Sequence, residues 1–204
     1  RDLVRSRGLG DVYKRQAIRV SFTGDLGWEI YVKTENQLKL YEALLETGAD
    51  LGVKPVGGRS LLSLRVEKGY GSWGREYSPE YWPQEVGLDR LIKLDKPSFL
   101  GKEAYLKIKD QKPREKLVVL EVNADRNADP AGGEPVFLRD GTPVGRVTSG
   151  AYGYTCDKSL AICMIKTDHA IDGNEFHVAV IGQNHDAVML KEAPFDPMGD
   201  RLRG

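Results

Sequence analysis

The chain changes character near Pro113, and this change constrains its fold more than any other feature of the sequence. Beyond that point, six short apolar segments follow one another with no stretch of helical periodicity. The dipeptide Asp140–Gly141 lies between two of these segments and favours a hairpin turn. Short strands separated by turns are typical of antiparallel barrels and sandwiches. We therefore predict a small antiparallel β domain over residues 113–204.

The preceding residues, 17–112, combine strands and helices. Two alternating segments, 17–23 and 28–33, flank a glycine-containing turn and predict two strands. Helices are predicted over residues 34–52 and 59–68, with a third closer to the β domain. The elements do not follow a repeated β-α-β order, so the fold class is α+β.

The predicted helix over residues 34–52 carries two specific expectations. Thr34 and Gln37 have the spacing of a capping box, in which the two side chains bond to backbone amides at the helix start. A second expectation is an apolar stripe along one face of the helix. The stripe consists of Leu38, Tyr41, Leu44 and Leu45.

Residues 1–16 differ from the rest of the chain. They are rich in arginine, do not begin with Met and lack the apolar region of a secretory signal. Two interpretations remain open: a native disordered arm, or a non-native leader from cloning or from a translated sequencing adapter. We favour the leader, so the fold is interpreted from Ala17 and the rest as part of a longer protein.

Composition excludes several classes of function. The chain has 30 basic and 30 acidic residues, and the excess beyond residue 16 is slightly acidic, which argues against nucleic acid as a partner. No apolar run approaches about 18 residues, so no membrane-spanning helix is predicted. The two cysteines, Cys156 and Cys163, form no disulfide framework and fit a reducing compartment such as the cytoplasm. The histidines and carboxylates lack metal-ligand spacing, so no metal site is assigned.

Three features are candidates for ligand binding. Glu29 lies on the strand face opposite Trp28; it points into a cavity if the sheet lines one and into solvent otherwise. Arg59 begins a helix after two glycines, where a cation opposes the helix dipole and calls for an anionic partner. The alternative for Arg59 is a solvent-facing side chain or a structural salt bridge. Trp73, in a glycine-rich aromatic loop, either stacks on a ligand or pins the loop to the core.

Four segments follow one another along the chain: SFTGDLGWEIYV, GGRSLLSLRVEKGYGSWGRE, VGLDRLIKLDKPSFLGKEA and GRVTSGAYGYT. In this order they resemble the glycine-cleavage T-protein family, the tetrahydrofolate-dependent aminomethyltransferases. The stretch LRVEKGYGSWGRE most resembles the C-terminal folate-binding region of dimethylglycine and sarcosine dehydrogenases. The resemblance covers about residues 17–204. It implies the second half of a folate-binding α+β domain over residues 17–112, followed by a β-barrel over residues 113–204.

The resemblance also implies roles for individual residues. Glu29 matches the family glutamate that hydrogen-bonds the pteridine ring. A carboxylate suits this role because it accepts the paired N–H donors of a guanidine-like edge. Arg59 matches an arginine at the folate site. Phe22 stands where many members have a tyrosine that packs on folate, so stacking is kept and the hydroxyl is lost. Trp73 is assigned to the same cofactor site. No catalytic residue is assigned in this chain, since the family aspartate is expected before Ala17.

The implied function is therefore that of one part of a larger enzyme. The parent would be an FAD-dependent demethylating enzyme that oxidises a methylated glycine and passes a one-carbon unit to tetrahydrofolate. FAD would lie in a missing N-terminal domain, and the fragment alone would be inactive. A eukaryotic parent would lie in the mitochondrial matrix. Two alternatives remain: a glycine-cleavage aminomethyltransferase, and a non-catalytic folate-binding module or relative of RNA-modification proteins.

Overall fold

The computed structural model describes residues 16–125 and 128–203. The chain divides into two compact units. The first, here called the hairpin–helix unit, contains the chain up to Leu62 and the C-terminal segment from Met198. The second, the barrel unit, is Ser63–Pro197.

The hairpin–helix unit contains one two-stranded antiparallel sheet and three helices that begin in it. Its strands pair over four residues each, with Gln16 opposite Tyr31 and Arg19 opposite Trp28. The predicted leader therefore ends inside the fold, because its last residue, Gln16, begins the first strand. The earlier residues of that leader lie outside the described residues. The elements are β1 (Gln16–Arg19), β2 (Trp28–Tyr31), α1 (Gln37–Gly48), α2 (Gly58–Glu67), which ends in the barrel unit, and α4 (Asp200–Arg203), with 3-10 turns at Thr34–Asn36 and Ala49–Leu51.

The predicted helix over residues 34–52 forms, but its predicted capping box does not. The chain enters α1 through the 3-10 turn Thr34–Asn36, and no side chain makes a capping hydrogen bond at either start. Because Asn36 rather than Thr34 precedes α1, Gln37 is the first residue of the α-helix and cannot reach back as the box requires. Gly52 ends the helical stretch with a left-handed backbone, φ 77°.

The barrel unit consists of a closed six-stranded antiparallel barrel preceded by a helix and short turns. Every strand pairs with two neighbours in the order β3-β6-β5-β4-β7-β8, and β8 returns to β3, which leaves no open edge. This confirms the barrel that the sequence predicts. The elements are α3 (Lys102–Ile108), β3 (Glu115–Val122), β4 (Pro135–Phe137), β5 (Pro143–Gly153), β6 (Lys158–Lys166), β7 (Glu175–Val180) and β8 (Gln183–Leu190), with 3-10 turns at Pro83–Glu85, Asp89–Leu91 and Thr167–His169.

Alternating side chains of the strands fill the barrel interior. Leu120, Val136 and Phe176 have no accessible surface, and Cys163 lies in the same buried cluster. The predicted turn is present between β4 and β5, where Gly141 has φ 87°. The amide of Thr142 donates to Oδ1 of Asp140 at 2.9 Å, so the aspartate side chain closes this turn.

A carboxylate of the segment before the barrel is bonded to the residue that enters it. Glu85 has no accessible side-chain surface and accepts hydrogen bonds from the backbone amide and the guanidinium of Arg114, at 2.7–3.0 Å. It also accepts one from the amide of Trp82 at 2.8 Å. Burial alone raises the pKa of Glu85, but these donors outweigh it and lower the pKa to about 2. The ionised form is therefore the one that stabilises this junction.

The structural partition differs from the predicted domain boundary. The sequence predicts a domain boundary between residues 112 and 113. In the structure, the boundary between the compact units falls between Leu62 and Ser63, within α2. The second half of α2 and the segment that contains Glu85 are therefore part of the barrel unit. The boundary at residue 113 remains a prediction about evolutionary domains.

We predict that Glu85→Gln flattens the acid limb of the stability curve. The folded-state pKa of about 2 lies below the ordinary value of 4.5, so the wild-type carboxylate stabilises fully above pH 4.5 and loses that contribution as the pH falls toward 2. At neutral pH the free energy of unfolding of the variant should be about 1–3 kcal/mol lower than that of the wild type. Near pH 2 this difference should vanish. Urea unfolding between pH 2 and 7 measures both.

The matched control is Glu103→Gln, because Glu103 is an exposed residue on α3. This variant should follow the wild-type curve at every pH. A Glu85→Gln curve that runs parallel to the wild-type curve from pH 7 to pH 2 would contradict the assignment.

Candidate functional site

Glu29 is an exposed carboxylate on the two-stranded sheet. It lies in β2 opposite Ile18 of β1. The Tyr31 hydroxyl, two residues along the same strand, donates a hydrogen bond to Oε2 of Glu29 at 2.6 Å. This hydrogen bond and the negative charge of Glu29 raise the pKa of Tyr31. The pair presents a carboxylate that is held at one oxygen and accessible to further donors.

An apolar groove lies along the hairpin–helix unit. Its lining includes Trp28 and Ile30 of β2 and Leu38, Tyr41 and Leu44 of α1, and its volume is about 810 Å³. Three residues of the predicted stripe of α1, Leu38, Tyr41 and Leu44, therefore line an open groove, and Leu38 keeps 65% of its surface exposed. The fourth, Leu45, is not part of the lining. No hydrophobic side chain in the described part of this unit is buried. Tyr31 also lines the groove, whereas Glu29 is not part of the lining.

Phe22 and Arg59 belong to the same unit as Glu29. Phe22 is partly buried in the bend between β1 and β2, close to Gly24, whose amide donates to Oγ of Ser21 at 2.8 Å. Arg59 is the second residue of α2 and is exposed. Among the described residues, no hydrogen bond or ion pair joins Arg59 to Glu29 or to any other carboxylate. The anionic partner that the sequence calls for is therefore not an intramolecular one in this part of the chain.

Trp73 belongs to the barrel unit, whereas the other three candidates belong to the hairpin–helix unit. It is 86% exposed and meets the ring of Tyr77 edge to face, with centroids 6.2 Å apart. The Tyr77 hydroxyl accepts a hydrogen bond from the amide of Gly71 at 3.2 Å, and a Cβ at Gly71 would lie 2.8 Å from the Tyr77 ring. Tyr77 thus pins the loop, and Trp73 leaves most of its indole accessible.

A network of buried charged side chains, which no sequence pattern predicted, lies at the end of α2. Arg65 and Glu76 are 2% and 0% exposed, and Nη1 of Arg65 lies 3.4 Å from Oε2 of Glu76. The Ser149 hydroxyl of β5 donates to the other carboxylate oxygen, and the Ser72 amide donates to Oε2 at 2.8 Å. In the sequence, Arg65 and Glu76 lie on either side of the glycine-rich stretch 69–74, and no local pattern links them. The members of the network come from a helix, a loop and a distant strand.

Burial and pairing oppose each other in that network. Burial lowers the pKa of Arg65, although the carboxylate of Glu76 works against this shift. Burial alone raises the pKa of Glu76, but hydrogen bonds from Ser149 and Ser72 and the charge of Arg65 outweigh it, so the pKa is lowered. Both groups are therefore charged near neutral pH, and neither faces an accessible ligand site.

The two cysteines are free thiols. Burial raises the pKa of Cys163 well above its ordinary value, and burial together with the nearby Glu67 raises that of Cys156. Neither is an activated nucleophile. In the described ranges, no group of three or more His, Cys, Asp or Glu side chains has the geometry to hold a metal ion. No helix there is long and apolar enough to cross a membrane.

Two family models match the chain in consecutive order. The GCVT N-terminal domain matches residues 8–96, and the glycine cleavage T-protein C-terminal barrel domain matches residues 115–196. The first match begins within the segment that sequence analysis set aside as a leader. The second coincides with the closed barrel, β3 to β8.

Curated relatives belong to two groups of enzymes. Dimethylglycine dehydrogenase of Mus musculus is 38% identical over 177 residues, which cover 86% of this chain and 20% of that enzyme. Aminomethyltransferase of Symbiobacterium thermophilum is 38% identical over 178 residues, 87% of this chain and 46% of that enzyme. The chain thus spans between a fifth and a half of these relatives.

A solved structure agrees with both matches. The glycine cleavage system aminomethyltransferase T from Bartonella henselae superposes with a TM-score of 0.80 at 25% identity, over 90% of this chain and 50% of that protein. The α+β fold followed by a small barrel, predicted from the sequence, is therefore confirmed. With both of its domain models matched in order, the chain belongs to the glycine-cleavage T-protein family.

Proposed function

We propose that this chain is the C-terminal tetrahydrofolate-binding part of a dimethylglycine/sarcosine dehydrogenase-like demethylating enzyme. The observation that carries the proposal is the exposed Glu29 carboxylate, which the Tyr31 hydroxyl holds at one oxygen. The second oxygen remains accessible for the N–H donors of a pteridine ring, and charge-assisted hydrogen bonds of this kind are strong and directional. The family match supplies the class of ligand.

The other candidate residues have matching roles in this proposal. Arg59, which lacks a carboxylate partner in the described part of the chain, would attract an anionic portion of the folate. Phe22 would supply a ring face in the bend before β2. The role of Trp73, whose indole is exposed in the barrel unit, stays a prediction from the resemblance. FAD in the parent's N-terminal domain would supply the oxidation of a methylated glycine to an imine or formaldehyde. Tetrahydrofolate would take up that one-carbon unit as 5,10-methylenetetrahydrofolate.

The apolar groove supports the proposal that the chain is one part of a larger domain. A unit without any buried hydrophobic side chain in its described residues has little hydrophobic stabilisation of its own. We propose that Trp28, Ile30 and the apolar stripe of α1 pack against the preceding half of the folate domain. That half would also contribute the family's aspartate, which is not assigned in this chain. The predicted domains, 17–112 and 113–204 after a leader over 1–16, belong to the same proposal.

The choice of branch within the family rests on one local stretch of sequence and not on the overall percentage identity. The dehydrogenase and the aminomethyltransferase relatives are both 38% identical to this chain. The stretch LRVEKGYGSWGRE favours the dehydrogenase branch, and an aminomethyltransferase of glycine cleavage is the second candidate. Equal numbers of acidic and basic residues argue against a relative that binds RNA. The proposed compartment is the cytoplasm, or the mitochondrial matrix in a eukaryote, like the mitochondrial dehydrogenase of the mouse.

We predict that tetrahydrofolate binds this chain and that Glu29→Ala weakens binding about 10- to 100-fold, since hydrogen bonds to a charged group contribute about 1.5–3 kcal/mol. Isothermal titration calorimetry measures the affinity. Glu35→Ala, which removes an exposed carboxylate of the same unit, should bind as the wild type does. Equal affinities of the Glu29 and Glu35 variants would reject Glu29 as the anchor.

We predict that the chain does not oxidise sarcosine when FAD is added, because the oxidising site would lie in the parent's N-terminal domain. Oxygen consumption and formaldehyde release measure the reaction. Turnover above the rate without protein would show that this chain contains an oxidising site, and the proposal of a folate-binding part would then fail.

We predict that the isolated chain self-associates through the apolar groove and that Leu38→Glu with Leu44→Glu reduces this association. An exposed apolar surface of this kind promotes contacts between molecules. Sedimentation velocity over a concentration series measures the effect. Leu100→Glu is the control, because Leu100 is fully exposed but lies in the barrel unit. A concentration-independent monomer in the wild type would contradict the prediction.

A further inference from the structure

The C-terminal segment is bonded to the turn that joins β1 to β2. The amide of Leu26 donates to the carbonyl oxygen of Arg201 at 3.1 Å. Nε of Arg201 donates to Oδ1 of Asp25 at 2.5 Å. Nη2 of Arg19, the last residue of β1, donates to the carbonyl oxygen of Leu202 at 3.1 Å. All these residues belong to the hairpin–helix unit, so the contacts lie within one compact body.

These contacts surround the start of the strand that carries Glu29. Arg19 pairs with Trp28, the residue immediately before Glu29. Leu26 and Asp25 lie three and four residues before Glu29 in the turn. The C-terminal segment therefore bonds to both sides of the hairpin, at the end of β1 and just before β2.

Among the described residues, the turn also contains the hydrogen bond from the Gly24 amide to Oγ of Ser21 at 2.8 Å. The strands of the hairpin pair over only four residues each, and two-stranded hairpins are marginally stable in water. The residues between the strands form a series of bends, and Gly24 has φ 87°. No apolar side chain in the described part of the unit is buried, so packing does not fix the turn either. Hydrogen bonds from the C-terminal segment are thus a large share of what orders it.

The C-terminal segment is itself compact. Nη1 of Arg203 donates to Oδ1 of Asp200 at 3.1 Å, and Nη2 donates to the carbonyl oxygen of Met198 at 3.0 Å. These bonds close α4 on itself, so Arg201 extends from an ordered turn. Arg201 and Asp25 keep 62% and 37% of their side-chain surface exposed. An exposed pair alone stabilises little, so its effect depends on the two hydrogen bonds that the main-chain carbonyl oxygens of Arg201 and Leu202 accept beside it.

We propose that the segment Met198–Arg203 is a clamp on the β1–β2 turn, with Arg201 as the residue that positions Glu29. Its effect on ligand binding rests on the tetrahydrofolate-binding function proposed above. Its effect on the order of the hairpin does not. The clamp acts through Asp25 and the main chain, and Arg201 itself does not contact the ligand.

Hydrogen exchange of the ligand-free chain tests the clamp directly. Arg201→Glu should raise the exchange rates of the Leu26 amide and of the β2 amides about 10-fold, because the turn opens more often. Exchange in β3 and β6 of the barrel should stay at the wild-type rate, which shows that the chain remains folded. Lys39→Glu, which makes the same charge change on the exposed surface of α1, should leave the hairpin rates unchanged.

The reversed pair, Asp25→Arg with Arg201→Glu, tests the specific contact. It should restore the exchange rates of the hairpin to within about twofold of the wild type. Unchanged hairpin exchange in Arg201→Glu would overturn the clamp. Raised exchange that the reversed pair does not restore would overturn Asp25 as the partner of Arg201.

Binding of tetrahydrofolate then tests the link to Glu29. Arg201→Glu should weaken binding about 5-fold in the wild-type background and have no effect in the Glu29→Ala background, since it acts through Glu29. An equal loss in both backgrounds would overturn positioning through Glu29. If the wild-type chain binds no tetrahydrofolate, the proposed function fails, whereas the exchange measurements still decide the clamp.

Discussion

Closure of the barrel is the constraint on which the rest of the barrel unit depends. When β8 pairs with β3, every strand acquires two neighbours and the apolar interior is sealed, as the inaccessible Leu120 and Phe176 illustrate. Within the barrel unit, the residues from Ser63 to the start of β3 are attached to the barrel by buried polar contacts. Glu85 binds Arg114 at the entry to β3, and Ser149 of β5 binds Glu76. Breaking either contact would remove part of what compensates a buried carboxylate.

The hairpin–helix unit is held together differently. It has helices and a small sheet, yet no hydrophobic side chain in its described part is buried. Surface hydrogen bonds therefore have more influence on its geometry than they would in a packed domain. The candidate ligand residue Glu29 lies in this unit, next to a turn that the C-terminal segment contacts.

Local patterns account for the elements that were predicted correctly. Alternation along short segments marked the six barrel strands, and Asp140–Gly141 marked a turn that forms with a left-handed glycine. The capping box was wrong because a 3-10 turn shifts the start of α1 by three residues, which local spacing cannot reveal. The apolar stripe of α1 was identified correctly as a stripe. Whether it is covered depends on other parts of the polypeptide.

The candidate site shows the same division. The residue types and their order marked Glu29, Arg59, Phe22 and Trp73, and the resemblance gave each a role that remains a proposal. The sequence did not indicate that Tyr31 bonds to Glu29, because that depends on rotamers along one strand. It gave no sign that Arg201, far along the chain, contacts Asp25. Such contacts join residues that chain folding alone brings together.

The sequence by itself determined the barrel, the mixed α+β segment before it and the family. Alternation, turn dipeptides and ordered motifs are properties of residues close together in the sequence. They can therefore be recognised without knowledge of tertiary contacts. Only the tertiary structure decided that Glu76 is buried against Arg65, that the face of α1 lies open and that the C-terminal segment holds the β1–β2 turn. Burial and long-range hydrogen bonds depend on which distant parts of the chain come into contact. The free energy of each such contact includes the cost of removing water from the polar groups that it buries.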